Sequence, residues 1–185
     1  VVASDGTRGY IFGGSVASAI STQTWNNASA SKEYGNILRF PFPVRAYGIL
    51  VGNSFAGNCD IILYSTPLGT PAAEKTISVD LNQVAIASQV GDSRLLFSSP
   101  FDLKPRTDYA VIAKPTSATS VAMNYKTYND ASHQNSDTLG TDCYAISRDT
   151  GAFATQNSNK DRYAIGLLVG AFEHGEVGLR QLKLG

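Results

Sequence analysis

With 185 residues, 15 basic and 15 acidic side chains and a net charge of zero, the chain suits one domain, and at this length about 70% of its unfolded surface can be buried. No basic tract exists to lay down an electrostatic nucleic-acid footprint, and no apolar run approaches the ~20 residues of a membrane helix. The 17 glycines, 7 prolines and 16% charged residues fit many short strands and turns rather than helices.

Residues 1–36 are rich in Ser, Ala, Asn, Thr and Gly and poor in large apolar anchors. Tyr10-Ile11-Phe12 has the composition of a short strand, and 15–20 that of a weak helical turn capped by Ser15. The sole tryptophan, Trp25, reads first as an aromatic covering the core and second as a sugar-stacking platform. The whole segment reads as an N-terminal arm or edge segment that packs on its own domain or on a neighbour. No stretch has the basic-then-apolar pattern of a secretory signal.

From Asn36 strands arrive at regular intervals, and 37–175 reads as one β-sandwich domain. Residues 37–42 and 44–51 are strands interrupted around Pro41 and Pro43, and 53–58 is turn chemistry. Residues 59–64 form a buried strand and 76–80 an alternating one, while 81–90 fits a loose strand or a short helical turn. Next come two apolar runs, 95–97 and 109–113, joined by a polar corner holding Pro100 and Pro105. Neither proline can donate to a ladder, so each marks a strand edge or break. The pattern is a strand, an arch, then a strand in the opposing sheet. Residues 120–128 alternate, with Val121, Met123, Tyr125 and Thr127 on one face; a polar loop (129–142) and strands at 143–147 and 162–172 follow. The tail, 176–185, carries Val177, Leu179, Leu182 and Leu184, which should dock on something.

About nine strands with turns every 8–12 residues specify an all-β protein, an antiparallel β-sandwich of jelly-roll type with an extended N-terminal arm. The expected core comprises Phe40, Ile49, Val51, Ile61, Leu63, Ile77, Leu95, Phe97, Phe101, Leu103, Tyr109, Val111, Val121, Met123, Ile146, Ile165 and Leu167. Cys59 and Cys143 follow no metal spacing and read as two buried thiols before they read as a disulfide.

Catalytic motifs are thin. The chain has no Gly-x-Ser-x-Gly elbow, no phosphate loop ending in Gly-Lys-Ser/Thr and no His-Glu-x-x-His. Its two histidines, His133 and His174, lie in polar surroundings, and no pair of carboxylates stands out. An enzyme is therefore not expected, nor a cofactor, nor a metal. Asn58, Asp60, Asp142 and Asp149 are hard oxygen ligands, but they show no calcium-loop spacing, and such residues populate turns for backbone reasons. The best ligand-binding stretch is 124–130, in which Tyr125 and Tyr128 offer rings to a sugar while Asn129 and Asp130 offer bonds to its hydroxyls.

A resemblance adds to this reading. The Phe97-Ser98-Ser99-Pro100 strand end, the Phe101-Asp102-Leu103 step, the short turn and Thr107-Asp108-Tyr109-Ala110-Val111-Ile112 resemble a recurring module of phage virion proteins and bacterial surface proteins. Residues 39–51, 59–65, 148–153 and 163–169 extend the likeness over roughly 37–172. Those modules are jelly-roll-like sandwiches related in shape to carbohydrate-binding modules. They usually carry Gly or Asn in the turn that is Pro105-Arg106 here. The resemblance implies a non-enzymatic structural subunit of a virus particle: a phage head decoration, spike or tail-associated protein. Its partners would be itself, as a homo-oligomer with a trimer or larger ring preferred, and other virion proteins. The alternative is a glycan-binding adhesion module on a phage tip or bacterial surface, with a cell-surface glycan as partner.

Overall fold

The computed structural model describes residues 9–12, 21–51, 57–80, 93–118, 120–127, 135–136, 141–156 and 161–170. Every regular element among them is a strand. In chain order they are β1 (Gly9–Phe12), β2 (Ser21–Trp25), β3 (Glu33–Arg39), β4 (Val44–Val51), β5 (Asn58–Ser65), β6 (Ala72–Asp80) and β7 (Ser93–Leu103). There follow β8 (Asp108–Pro115), β9 (Val121–Thr127), β10 (Asn135–Ser136), β11 (Thr141–Arg148), β12 (Ala154–Thr155), β13 (Asp161–Tyr163) and β14 (Ile165–Gly170). The expected antiparallel sandwich is present, with more strands than the nine anticipated because several are short.

One layer is the sheet β10-β11-β3-β8-β5-β6, with β12 attached to β11. The other holds two sheets, β1-β14-β4-β7 and β13-β9-β2, which the chain links by passing from β13 to β14 through Ala164. Between the layers one apolar cluster joins Leu38, Ile61, Leu63 and Val111 to Ile49, Val51, Leu95 and Leu167, and to Trp25, Val121, Met123 and Tyr163. The inner strands are buried on both faces, which is why β8 reads as an unbroken apolar run. Its Ala110 and Ile112 point away from the main core into a second cluster with Ile37, Ile62, Tyr64, Ile146 and Phe153. Edge strand β6 packs half of its side chains and exposes the rest.

The arch carries the chain between layers as anticipated, from β7 in the four-stranded sheet to β8 in the large one. Pro100 does not end the first strand. β7 lies at a sheet edge, where a missing donor is tolerated, and it bulges between Leu96 and Phe101 opposite Tyr47. The Tyr109 hydroxyl accepts a bond from the Lys104 backbone N–H at 3.0 Å and closes the corner. Arg106 adopts φ 55°, the left-handed conformation that Gly or Asn takes easily. Its N–H donates to the Phe40 carbonyl at 2.6 Å.

Residues 21–36 are built into the sandwich, and the division placed at Asn36 falls inside β3. β2 pairs with β9, Trp25 is 2% exposed, and its indole N–H donates to the Lys32 carbonyl at 3.1 Å. Trp25 is thus a core aromatic, not a sugar platform. Asn36 is fully buried. Its Nδ2 donates to the carbonyls of Tyr163 and Ile165, both at 2.8 Å, and its Oδ1 accepts the Tyr163 N–H at 2.9 Å. One amide thereby satisfies the backbone groups left over where β13 gives way to β14.

Of the expected core, Ile77, Phe97 and Phe101 are only half-buried, packed at the margin of the main cluster. Neither cysteine forms a disulfide, and both are buried. The suggested helical turn (15–20), the ambiguous stretch 81–90 and the tail 176–185 lie outside the described residues.

Candidate functional site

Tyr125 sits on β9 with its register partners Ser21 on β2 and Tyr163 on β13. Alternation along β9 sends Val121 and Met123 fully into the core and leaves Tyr125 half-buried at its margin. The Tyr125 and Tyr163 rings lie 5.6 Å apart; Tyr163 meets Tyr34 edge-on at 6.0 Å, and Tyr34 meets Trp25 at 5.0 Å. The result is a row of four rings in the order Tyr125, Tyr163, Tyr34, Trp25, in which Tyr163 and Trp25 are buried and Tyr34 and Tyr125 half-buried.

Burial pushes the Tyr163 hydroxyl above its ordinary range, and neighbouring Tyr34, Asp161 and Tyr125 add to the shift. Tyr163 is therefore a neutral, packed ring and not an acid or base near neutral pH. Asp161 is 8% exposed, and its Oδ1 accepts the Thr127 hydroxyl at 2.6 Å. Nearby, the Thr22 hydroxyl donates to Asn124 Oδ1 at 2.9 Å on the surface. Chemically, the partly open Tyr34 and Tyr125 rings can stack on an apolar face such as that of a sugar. Tyr128, Asn129 and Asp130, the other residues expected to bind a ligand, lie outside the described residues, as do His133 and His174.

A second cluster, not anticipated from the sequence, lies on the outer face of the large sheet. Arg148 Nη2 donates to both oxygens of Glu33, at 3.1 and 3.0 Å, and its Nη1 donates to the Gly151 carbonyl at 2.9 Å. The guanidinium lies 4.7 Å from the Tyr64 ring centre and 4.4 Å from that of Phe153. Lys114 Nζ approaches Glu33 at 3.8 Å. Burial first, and the Glu33 carboxylate second, push the Tyr64 hydroxyl up to about 12, with Arg148 opposing. Arg148 thus clamps 149–156 over the sheet, its hydrogen-bonding mostly spent on Glu33 and the loop. Sequence spacing gives no sign of this, because Glu33 and Arg148 meet only through the β3–β11 register.

The four oxygen-bearing residues considered for calcium are not gathered. Asp60 accepts the Ser78 hydroxyl at 2.5 Å, Asp149 pairs with Lys32 at 2.9 Å, and Asp142 lies opposite Arg39 at the other end of β11. Among the described residues no group of three His, Cys, Asp or Glu side chains is placed to hold a metal. No protein-family model matches the chain, and no curated protein matches it.

Proposed function

We propose that this chain is a non-enzymatic structural subunit of a virus particle, a phage head decoration, spike or tail-associated protein that acts through contacts with its own copies and with other virion proteins. The observation that carries the reading is the pairing of Gly9 with Gly170. Residues 1–8 and 171–185 therefore join the sandwich at neighbouring points, and an arm and a tail rooted together can cross jointly to one neighbour. An interface of that kind would bury ~1,200–2,000 Å² in total. The zero net charge removes long-range repulsion between copies, and the resemblance over 37–172 supplies the virion context. The experiment is deletion of 1–8 and, separately, of 177–185, both of which leave every described strand intact. Sedimentation velocity should show a smaller oligomer for at least one truncated chain, with the thermal unfolding of the sandwich retained. Two truncated chains with the parent's oligomeric state would refute the reading.

The half-buried Tyr34 and Tyr125 favour a second reading, a glycan-binding adhesion module on a phage tip or bacterial surface. It predicts a reproducible ligand on a glycan array, lost on Tyr125→Ala. An array without a reproducible ligand removes it.

A further inference from the structure

Trp25, the one tryptophan of the chain, lies in the core. Its ring meets Tyr34 at 5.0 Å, tilted by 56°, and its indole N–H is held by the Lys32 carbonyl at 3.1 Å. Tyr34 stands half-buried at the margin of the main cluster. Beyond it the row continues through buried Tyr163 at 6.0 Å to half-buried Tyr125 at a further 5.6 Å. Buried and half-buried rings thus alternate along the row. Indole and phenol are the ring side chains that give up a single electron most readily. Rings in contact at these distances pass an electron directly, with no diffusing carrier.

We propose that Tyr34 is a site of one-electron oxidation, the place where an oxidation begun at Trp25 leaves the core. The inference is independent of the subunit reading. A one-electron oxidant, or light that ejects an electron from the indole, leaves Trp25 as a radical cation. Its N–H proton has no acceptor, because the bonded Lys32 oxygen belongs to a neutral carbonyl, which holds a hydrogen bond but is too weak a base to take the proton. The radical cation therefore stays strongly oxidising. One electron passes from the Tyr34 ring to Trp25, and the Tyr34 hydroxyl releases its proton to water. Trp25 returns to its starting state with its N–H intact, and Tyr34 becomes a neutral phenoxyl radical. The sum is one electron given to the oxidant and one proton given to solvent. Burial decides where the transfer stops. A half-buried tyrosine keeps its polar tip within reach of water. The packed Tyr163 ring would instead strand a charge in the core, which burial disfavours, and neighbouring Asp161 already accepts the Thr127 hydroxyl at 2.6 Å. Tyr125 lies beyond Tyr163 in the row and stays reduced.

The test is flash photolysis of the full chain with light absorbed by tryptophan and not by tyrosine. A soluble cobalt(III) ammine captures the ejected electron and is reduced to cobalt(II), and the two radicals are followed by their separate absorption bands. In the parent the tryptophan radical should decay as the tyrosine radical grows, at a rate independent of protein concentration. Tyr34→Phe keeps the ring and removes the hydroxyl, and should slow that decay at least tenfold. Tyr125→Phe should leave it unchanged. Irradiated parent, digested and read by mass spectrometry, should carry its oxidation products on Tyr34 in preference to Trp25; this readout needs no altered chain. If the tryptophan radical decays alike in the parent and in Tyr34→Phe, or if the parent's products lie on Trp25, the inference is refuted. Slowing by Tyr125→Phe as large as that by Tyr34→Phe would place the exit at Tyr125 and overturn the assignment to Tyr34.

Discussion

Replacing Asn36 by Leu keeps the branching of the side chain and deletes three hydrogen bonds at once. The Tyr163 N–H and the carbonyls of Tyr163 and Ile165 then stay buried without the partners they have at 2.8–2.9 Å. Each buried group left unsatisfied costs about 1–3 kcal/mol, so simple addition gives ~3–9 kcal/mol. A water entering the junction would hold the loss near the lower end of that range. A domain's whole stability is about 5–15 kcal/mol, so the altered chain should lose a large share of its stability at 25 °C. Asn36→Asp sharpens the point, because it retains the acceptor but turns the donor into a carboxylate oxygen facing two carbonyls. Burial and those carbonyls favour the protonated form, which raises the folded-state pKa of the introduced acid above its unfolded value of about 3.9. Its stability relative to the parent is therefore greatest below that pH and is lost as pH rises through the folded-state value. Urea unfolding followed by Trp25 fluorescence measures both effects, since the chain has one tryptophan and it is buried. A cost below about 1 kcal/mol for Asn36→Leu would show that the β13–β14 junction does not depend on this amide.

Four other outcomes are expected. Arg148→Met leaves Glu33, 5% exposed on its side chain, buried without its main partner; it should cost about 3–5 kcal/mol and open 149–156 to limited proteolysis, and a protease-resistant loop would contradict the clamp. Phe101→Ala should cost roughly 1.5–2.5 kcal/mol, about half the value of a fully buried Phe, because the ring is half-buried against Tyr109 at 6.0 Å; denaturant titration decides. Burial, with Asp60 adding, pushes the Cys59 thiol from 9.0 to about 12, so native protein should resist thiol reagents at pH 8 and react on unfolding. Because Cys59 and Tyr64 are both raised on folding, the unfolded chain loses their protons first, and stability should fall as pH rises from about 9 towards 12; a flat stability profile over that window would contradict the burial of these two groups.

Most of the sandwich was legible because local chemistry and burial agree in it. Tyr109-Ala110-Val111-Ile112-Ala113 reads as a central strand and is one, and the two-proline corner carries the chain across the layers. What escaped was non-local. Asn36 looks like a turn residue by composition, yet its partners lie 127 and 129 residues away. The polar stretch before it enters the sandwich because β9 offers β2 a pairing edge and the core takes Trp25. Pro100 breaks a ladder only on the side that needs a donor, and an edge strand leaves one side free. Of the expected ligand-binding residues, Tyr125 stands in an aromatic row, but its ring neighbour Tyr163, and Tyr34 beyond it, come from distant strands and could not be paired with it by spacing.

The measurement that bears most directly on the subunit reading is the mass of the purified chain at sedimentation equilibrium over a wide concentration range. The reading predicts a discrete multiple of the 19.6 kDa chain mass, reduced on removal of 1–8 or 177–185. A 19.6 kDa monomer at every concentration, bound reproducibly by one glycan, would contradict it.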